Sequence, residues 1–358
     1  MGDVYQRLRD RLNDMATGYP TTKNHIEIKI LKRLFTEEEA EFFLLLPPRL
    51  KTTDEVAKML DRSTEETAPI LEQMAKKGLL FRQRKGDMLR YAPVPYIVGI
   101  FEFQVNRMDR ELASDMEEYF EEALGRTLQS YETPVMRTIP INRTLVTKWP
   151  IAPFEDVLEY LDRQEMIAIA PCICRTVTRM SGKGCDKPLE VCFMFGSHAH
   201  YYVENDMGRY INKEEARAIL KRNEKIGLVM QPFNSQNFGG MCSCCGDCCG
   251  MLRSLKKQPL PAAAVHSNYY AEVAAEECVG CETCLDRCQM EAIEIIEEKA
   301  TINLDRCIGC GLCVTTCSTE ALKLVKKPDD QLYEPPQKST ETYVRIAVER
   351  GKNLILKS

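Results

Sequence analysis

Cys278-Val279-Gly280-Cys281-Glu282-Thr283-Cys284-Leu285-Asp286-Arg287-Cys288 and Cys307-Ile308-Gly309-Cys310-Gly311-Leu312-Cys313-Val314-Thr315-Thr316-Cys317 share one pattern, C-x2-C-x2-C-x3-C, set 29 positions apart. Val279-Gly280 returns as Ile308-Gly309, and Glu291-Ala292 returns as Glu320-Ala321. The stretch is therefore an internal duplication of one short strand–loop–helix unit. Three cysteines of each copy sit on one tight loop and the fourth follows it. Gly280, Gly309 and Gly311 suit loops in which the backbone must come close to another group.

These motifs resemble the two-[4Fe–4S] bacterial ferredoxins over residues 277–326. The resemblance implies that the fourth cysteine of each run ligates the other cluster. One cluster then belongs to Cys278, Cys281, Cys284 and Cys317, and the second to Cys307, Cys310, Cys313 and Cys288. The family places proline after the fourth cysteine, whereas Gln289 and Ser318 stand there in this chain. A pair of zinc ribbons also uses CxxC pairs, but two matching four-cysteine runs favour the cubane reading.

The remaining chain sets the context. It has 358 residues, 44% of them apolar and 28% charged, with a formal net charge of −5. That length suits two or three domains, and the charge calls for neither nucleic acid nor an anionic membrane. No apolar run is long enough for a membrane span. The N-terminus is charged and lacks the apolar core of a signal peptide. Seventeen cysteines in such a chain argue for metal ligation in a reducing, cytoplasmic setting rather than for disulfides.

Nine cysteines lie upstream of the duplication. Cys172, Cys174, Cys185 and Cys192 form one group, C-x-C-x10-C-x6-C, which could close a site alone. Cys242, Cys244, Cys245, Cys248 and Cys249 form a second, in which neighbouring cysteines should divide between sites because adjacent thiolates rarely face one cubane. Thiolates are soft ligands for iron–sulfur clusters, zinc and copper(I). Five cysteines within eight positions of a Gly/Ser/Asp loop are not core packing. One or two further iron–sulfur clusters are expected there, with zinc as the alternative. The triplets Cys244-Cys245-Gly246 and Cys248-Cys249-Gly250 resemble the CCG elements of heterodisulfide reductase without the long spacings of those domains. The stretch from Ala170-Pro171-Cys172 through 242–250 into the duplication resembles a family of large 4Fe–4S proteins of anaerobic bacteria and archaea. That resemblance implies electron transfer between redox partner proteins; a place as subunit of a larger oxidoreductase complex is a further option.

The N-terminal part reads helix, helix, helix, hairpin. Thr36-Glu37-Glu38-Glu39 and Ser63-Thr64-Glu65-Glu66 are capping boxes, Thr53 or Asp54 caps the helix between them, and 79–81 with 88–91 form a wing. This order resembles a winged helix-turn-helix domain. Glu65, Glu66 and Glu72 on its last helix weigh against a groove-reading role, although Arg82, Arg84, Lys85 and Arg90 of the wing could meet phosphates. A long helix is expected over 97–128, short strands over 135–141 and 144–146, and a helix over 154–162. A strand over 166–170, a helix over 213–225 and a strand over 228–231 follow. His198 and His200 are read as core or surface residues, and no nucleotide-binding loop or hydrolase motif is present.

The fold class is therefore α+β and multidomain: a winged-helix-like domain over 1–95, a long helix and connection over 96–153, a small α/β cysteine-rich domain over 154–265, a dicluster ferredoxin-like domain over 266–327 and a tail over 328–358. The leading function is iron–sulfur electron transfer. A redox-sensing transcription regulator and an enzyme with a substrate-binding cluster are the alternatives. Glu276, Glu277, Asp286, Glu297 and Glu298 would steer a basic partner.

Overall fold

A computed structural model describes residues 3–140 and 155–352. The expected strand over 144–146, together with Ile141 and Phe154, lies outside them. α1 (Val4–Asp14), α2 (Ile26–Leu34) and α3 (Glu37–Leu45) open the chain. β1 (Lys51–Thr52), α4 (Thr53–Met59), α5 (Thr64–Lys76) and the hairpin of β2 (Leu80–Lys85) and β3 (Met88–Pro93) follow. Capping boxes start three of these helices, with Thr36–Glu39, Thr52–Glu55 and Ser63–Glu66 as the reciprocal pairs. The cap of α4 is thus Thr52, one residue before the earliest position read from sequence, because only Thr52 stands three residues ahead of a glutamate able to return the bond. β1, β3 and β2 form an antiparallel sheet in that order.

The long helix expected over 97–128 is broken. Ile97 and Val98 are extended and residues 102–104 make one 3-10 turn. α6 begins only at Arg110 (Arg110–Tyr119), where Asp109 accepts the Leu112 N–H at 3.0 Å. It continues through a wide turn over Phe120–Leu124 into α7 (Gly125–Thr127). The apolar residues at mixed spacing are buried, but Ile97, Ile100, Phe101, Phe103 and Val105 reach the core from irregular backbone. Periodicity alone could not separate the two cases.

The middle of the chain builds a five-stranded sheet in the order β6-β4-β5-β8-β7, antiparallel at every pairing. Its strands are β4 (Ile167–Pro171), β5 (Glu190–Phe195), β6 (Arg209–Tyr210), β7 (Val229–Pro232) and β8 (Gly240–Cys244). α8 (Val157–Asp162), α9 (Ile173–Met180), α10 (Ser197–Glu204) and α11 (Lys213–Lys225) precede or join them. The scaffold expected as α/β is thus an antiparallel sheet with helices, because β5 and β8, both formed by cysteine-bearing segments, lie between β4 and β7. Residues 135–140 add two isolated bridges, Met136 to Phe233 and Ile139 to Met230, rather than a full strand.

α12 (Gly250–Lys256) and α13 (Pro261–Ala264) lead into the duplicated unit. There β9 (Tyr269–Val273) pairs with β12 (Leu322–Lys326), and β10 (Ile293–Ile296) with β11 (Lys299–Ile302). α14 (Ser339–Glu349) returns to the N-terminal region. Its Tyr343 packs on Phe233 and donates to the Val98 carbonyl at 2.9 Å. Arg350 donates to the carbonyls of Asn13, Met15 and Ala16. One continuous core runs from Tyr5 to Ile346 and takes in both the N-terminal helices and the five-stranded sheet.

Candidate metal centres

Each loop of the duplication depends on one glycine. Gly280 has φ +66° and a Cβ there would lie 2.4 Å from the Glu298 carbonyl oxygen; Gly309 has φ +65° and would meet the Tyr269 carbonyl oxygen at 2.0 Å. No side chain fits either place, so both loops close against a neighbouring backbone. Amide donors then reach the sulfurs: Ala300 N–H to Cys278 at 3.4 Å, Ala271 N–H to Cys307 at 3.4 Å and Ala292 N–H to Cys288 at 3.1 Å. Among the described residues, no three of these eight thiols converge closely enough to share a single ion. That fits cubane ligation, in which each thiolate binds a different iron and the sulfurs stay apart.

The two loops differ in surroundings. Cys281 is exposed, flanked by exposed Glu282 and Thr283, whereas Ile308, Leu312 and Cys313 are buried. Burial raises the Cys310 thiol to about 12. Ile308 and Leu312 pack with Met290, Val229, Leu252, Cys244 and Cys249, and Cys288, Cys307 and Cys310 border the same cluster. The second loop thus faces the middle of the chain and the first faces solvent.

The nine upstream cysteines are sorted by the sheet and not by their order in sequence. Cys172 follows β4 as the cap of α9, and Cys174 lies in the first turn of that helix. β5 carries Cys192 opposite Ala170 of β4. β8, on the other side of β5, carries Cys242 and Cys244, and Cys249 caps α12. Because β4, β5 and β8 are adjacent, these six sulfurs close a ring. Cys192 meets Cys242 at 4.0 Å, and around the circle Cys172, Cys174, Cys249, Cys244, Cys242, Cys192 each thiol is shifted chiefly by its two neighbours. Each upstream group contributes three members. Cys185 of the first group lies instead with Cys245 and Cys248.

Cys185 meets Cys245 at 3.7 Å and Cys248 at 3.5 Å, and the three sulfurs lie within 4.8 Å of one another. The Cys185 N–H also points at Cys248 Sγ, 3.4 Å away. The fully buried Arg175 places Nη2 3.4 Å from Cys245 Sγ and donates through Nη1 to the Pro188 carbonyl at 2.5 Å. The Cys248 hydrogen bond and the nearby guanidinium outweigh burial and bring the Cys245 thiol down to about 5. The adjacent pairs separate: Cys244 and Cys249 go to the ring, Cys245 and Cys248 to the triad.

The ring borders an apolar cavity of about 420 Å³ lined also by Phe120, Met136, Phe233, Tyr202 and Tyr343. Glu102 enters this lining; it accepts the Gly99 N–H at 2.7 Å, and burial raises its carboxyl to about 8. Neither Glu102 nor Arg175 was assigned a role from sequence. Arg175 follows Cys174 directly, which was a visible hint, but Glu102 sits in the segment misread as a regular helix. His198 and His200 lie on α10. His198 stacks on Phe81 and is held down to about 4 by burial, and His200 bonds Tyr210. All seventeen cysteines are free thiols.

Residues 277–327 match the family model of the 4Fe-4S dicluster domain. No curated protein and no solved structure matches the chain. The dicluster domain and the cysteine clusters point to iron–sulfur electron transfer. No described helix is long and apolar enough to cross a membrane.

Proposed function

We propose that the chain relays electrons between a surface-bound redox partner and a third iron–sulfur site held by the six-cysteine ring. Cys278, Cys281, Cys284 and Cys317 hold the outer cluster of the repeat; Cys307, Cys310, Cys313 and Cys288 hold the inner one. A [4Fe–4S] cluster so held takes up or releases one electron at a time. The chain supplies the rest. Amides of Ala271, Ala292 and Ala300 bond to thiolate sulfur, which favours the more negative state. Exposed Glu276, Glu277 and Asp286 beside Cys281 orient a basic partner at the solvent end.

The observation that carries this reading is the packed layer at the other end. Cys288, Cys307 and Cys310 border the same buried apolar cluster that contains Cys244 and Cys249. Arg287 fixes that junction by donating to the Glu224 and Lys225 carbonyls at 2.7 and 2.9 Å. Arg306 does the same, bonding Met290 and Lys256 carbonyls at 3.0 and 3.1 Å. A rigid, closely packed junction is what transfer between neighbouring centres needs.

Anaerobic iron and sulfide analysis with EPR tests the reading. About twelve irons per chain are expected, and Cys244→Ser with Cys249→Ser should bring the count to about eight while the signal of the repeat persists. About eight irons in the unaltered chain would remove the third cluster.

The N-terminal region, in the same proposal, is a winged-helix-like unit retained for protein contact, and the five-part division of the chain is kept. Arg82 of its hairpin is buried against Glu72, Glu204 and Asn205, and Arg84 is bonded to Glu204. Those wing cations are engaged within the protein and not offered to phosphates. A salt-sensitive shift of duplex DNA would reverse this in favour of the regulator.

A second reading is supported by the cavity. An apolar chamber beside the ring, with Glu102 in its wall, suits reductive cleavage of a small apolar disulfide by two electrons and two protons. Turnover lost in Cys249→Ser, and slowed in Glu102→Gln, would support an enzyme; no turnover with reduced protein would leave the carrier alone.

A further inference from the structure

We infer that Cys185, Cys245 and Cys248 form a separate mononuclear zinc site with an open fourth position. The inference does not rest on the proposed relay. Zinc–thiolate bonds of about 2.3 Å in a tetrahedral arrangement place the sulfurs about 3.8 Å apart. The observed separations of 3.7 and 3.5 Å match that spacing. The eight thiols of the duplication contain no such trio among the described residues, as expected of sites where every thiolate reaches a different metal. The same chain therefore holds cysteines set for clusters and cysteines set for one ion.

The local chemistry agrees. Cys245-Gly246-Asp247-Cys248 is a CxxC turn, an element that zinc sites use, and Cys185 comes to it from the loop after α9. The Cys185 N–H at 3.4 Å from Cys248 Sγ is a donor placed for a thiolate. Three thiolates and one divalent zinc leave a net charge of −1. The Arg175 guanidinium, fully buried with Nη2 3.4 Å from Cys245 Sγ, balances it. Among the described residues its Nε is buried without a partner, so the cation is held there by the Pro188 carbonyl and by neighbouring thiolates, Cys172 as well as Cys245. A d¹⁰ ion also suits a soft, redox-silent position beside redox sites.

Among the described residues, no other Cys, His, Asp or Glu joins the three within 4.8 Å. Asp247, which directly precedes Cys248, is turned to Lys187 at 3.1 Å. The protein thus supplies three ligands, and a water or an exogenous thiolate completes the tetrahedron. Sites with an open position bind or activate a ligand, while four-ligand sites are structural.

Zinc and iron are counted separately in full-length protein purified anaerobically. About one zinc per chain is expected, with X-ray absorption at the zinc edge giving three sulfurs at about 2.3 Å and one lighter atom. Cys185→Ser with Cys248→Ser should lose the zinc and keep the iron. Absence of zinc in the unaltered chain would overturn the site, as would a fall of about four irons in the variant. Four sulfurs around zinc would overturn the open position. Because the iron count alone tests the relay, failure of one proposal leaves the other standing.

Discussion

Val279 and Ile308 hold the same place in the two copies of the repeat, yet Val279 is 66% exposed and Ile308 is 3% exposed. The neighbouring differences run the same way. Glu282 and Thr283 lie exposed in the first loop where Gly311 and Leu312 are buried in the second. The cysteine spacing is identical because ligation demands it; the residues between the cysteines diverge because only one loop was covered by the rest of the protein. The duplication thus has an outward and an inward end, the asymmetry on which the proposed relay depends.

The largest effect should appear when that contrast is broken at the buried copy. Ile308→Ala removes side-chain volume from a closed layer and should cost about 2–5 kcal/mol. Val279→Ala should stay within about 0.5 kcal/mol. Anaerobic denaturant unfolding of the two variants reads the difference directly, and equal costs would mean that the second loop is not covered in solution.

The glycines sharpen the comparison at the backbone. Gly309→Ala and Gly280→Ala both force a positive φ and a clash, each costing about 1–3 kcal/mol. Gly309→Ala should be the worse, because its Cβ would press on Tyr269 of β9 at 2.0 Å while the first meets Glu298 in an exposed turn at 2.4 Å. The rate of iron release to a chelator should follow that order. An inverted order would indicate that β9 yields more readily than the β10–β11 turn.

The hairpin of the N-terminal region offers the same contrast on a smaller scale. Arg82 has 2% of its side chain exposed and Arg84 39%, and both meet Glu204. Arg82→Ala leaves carboxylates without their buried donor and should cost about 1–3 kcal/mol. Arg84→Ala removes a half-exposed pair and should cost under about 1 kcal/mol. Thermal unfolding of the two variants distinguishes them; a larger loss from Arg84→Ala would show that the hairpin does not rest on α10.

Much of the helical framework was legible in the sequence because caps are local. Thr36, Ser63 and the helix over 213–225 could be read from a few adjacent residues. The strand leading to Cys172 was legible as a short apolar run. The break at 97–109 was not, since apolar residues at mixed spacing look helical whether they reach the core from a helix or from a folded loop. β5 and β8 were missed because cysteine, glycine and serine mask the alternation by which a half-buried strand is recognised.

The division of the cysteines shows the same boundary most plainly. In the repeat, four ligands come from one short segment, and the backbone between them is too short to permit another arrangement. Spacing alone therefore determined that this protein carries a dicluster unit. For the nine upstream cysteines, proximity is created by β4, β5 and β8 lying side by side, and residues far apart in the chain become neighbours only through strand order. The split into a ring of six and a triad of three, the buried Arg175 beside the triad, and the choice of which ferredoxin loop faces inward were all decided by the tertiary structure, because each depends on which surfaces the folded chain brings together and closes to water.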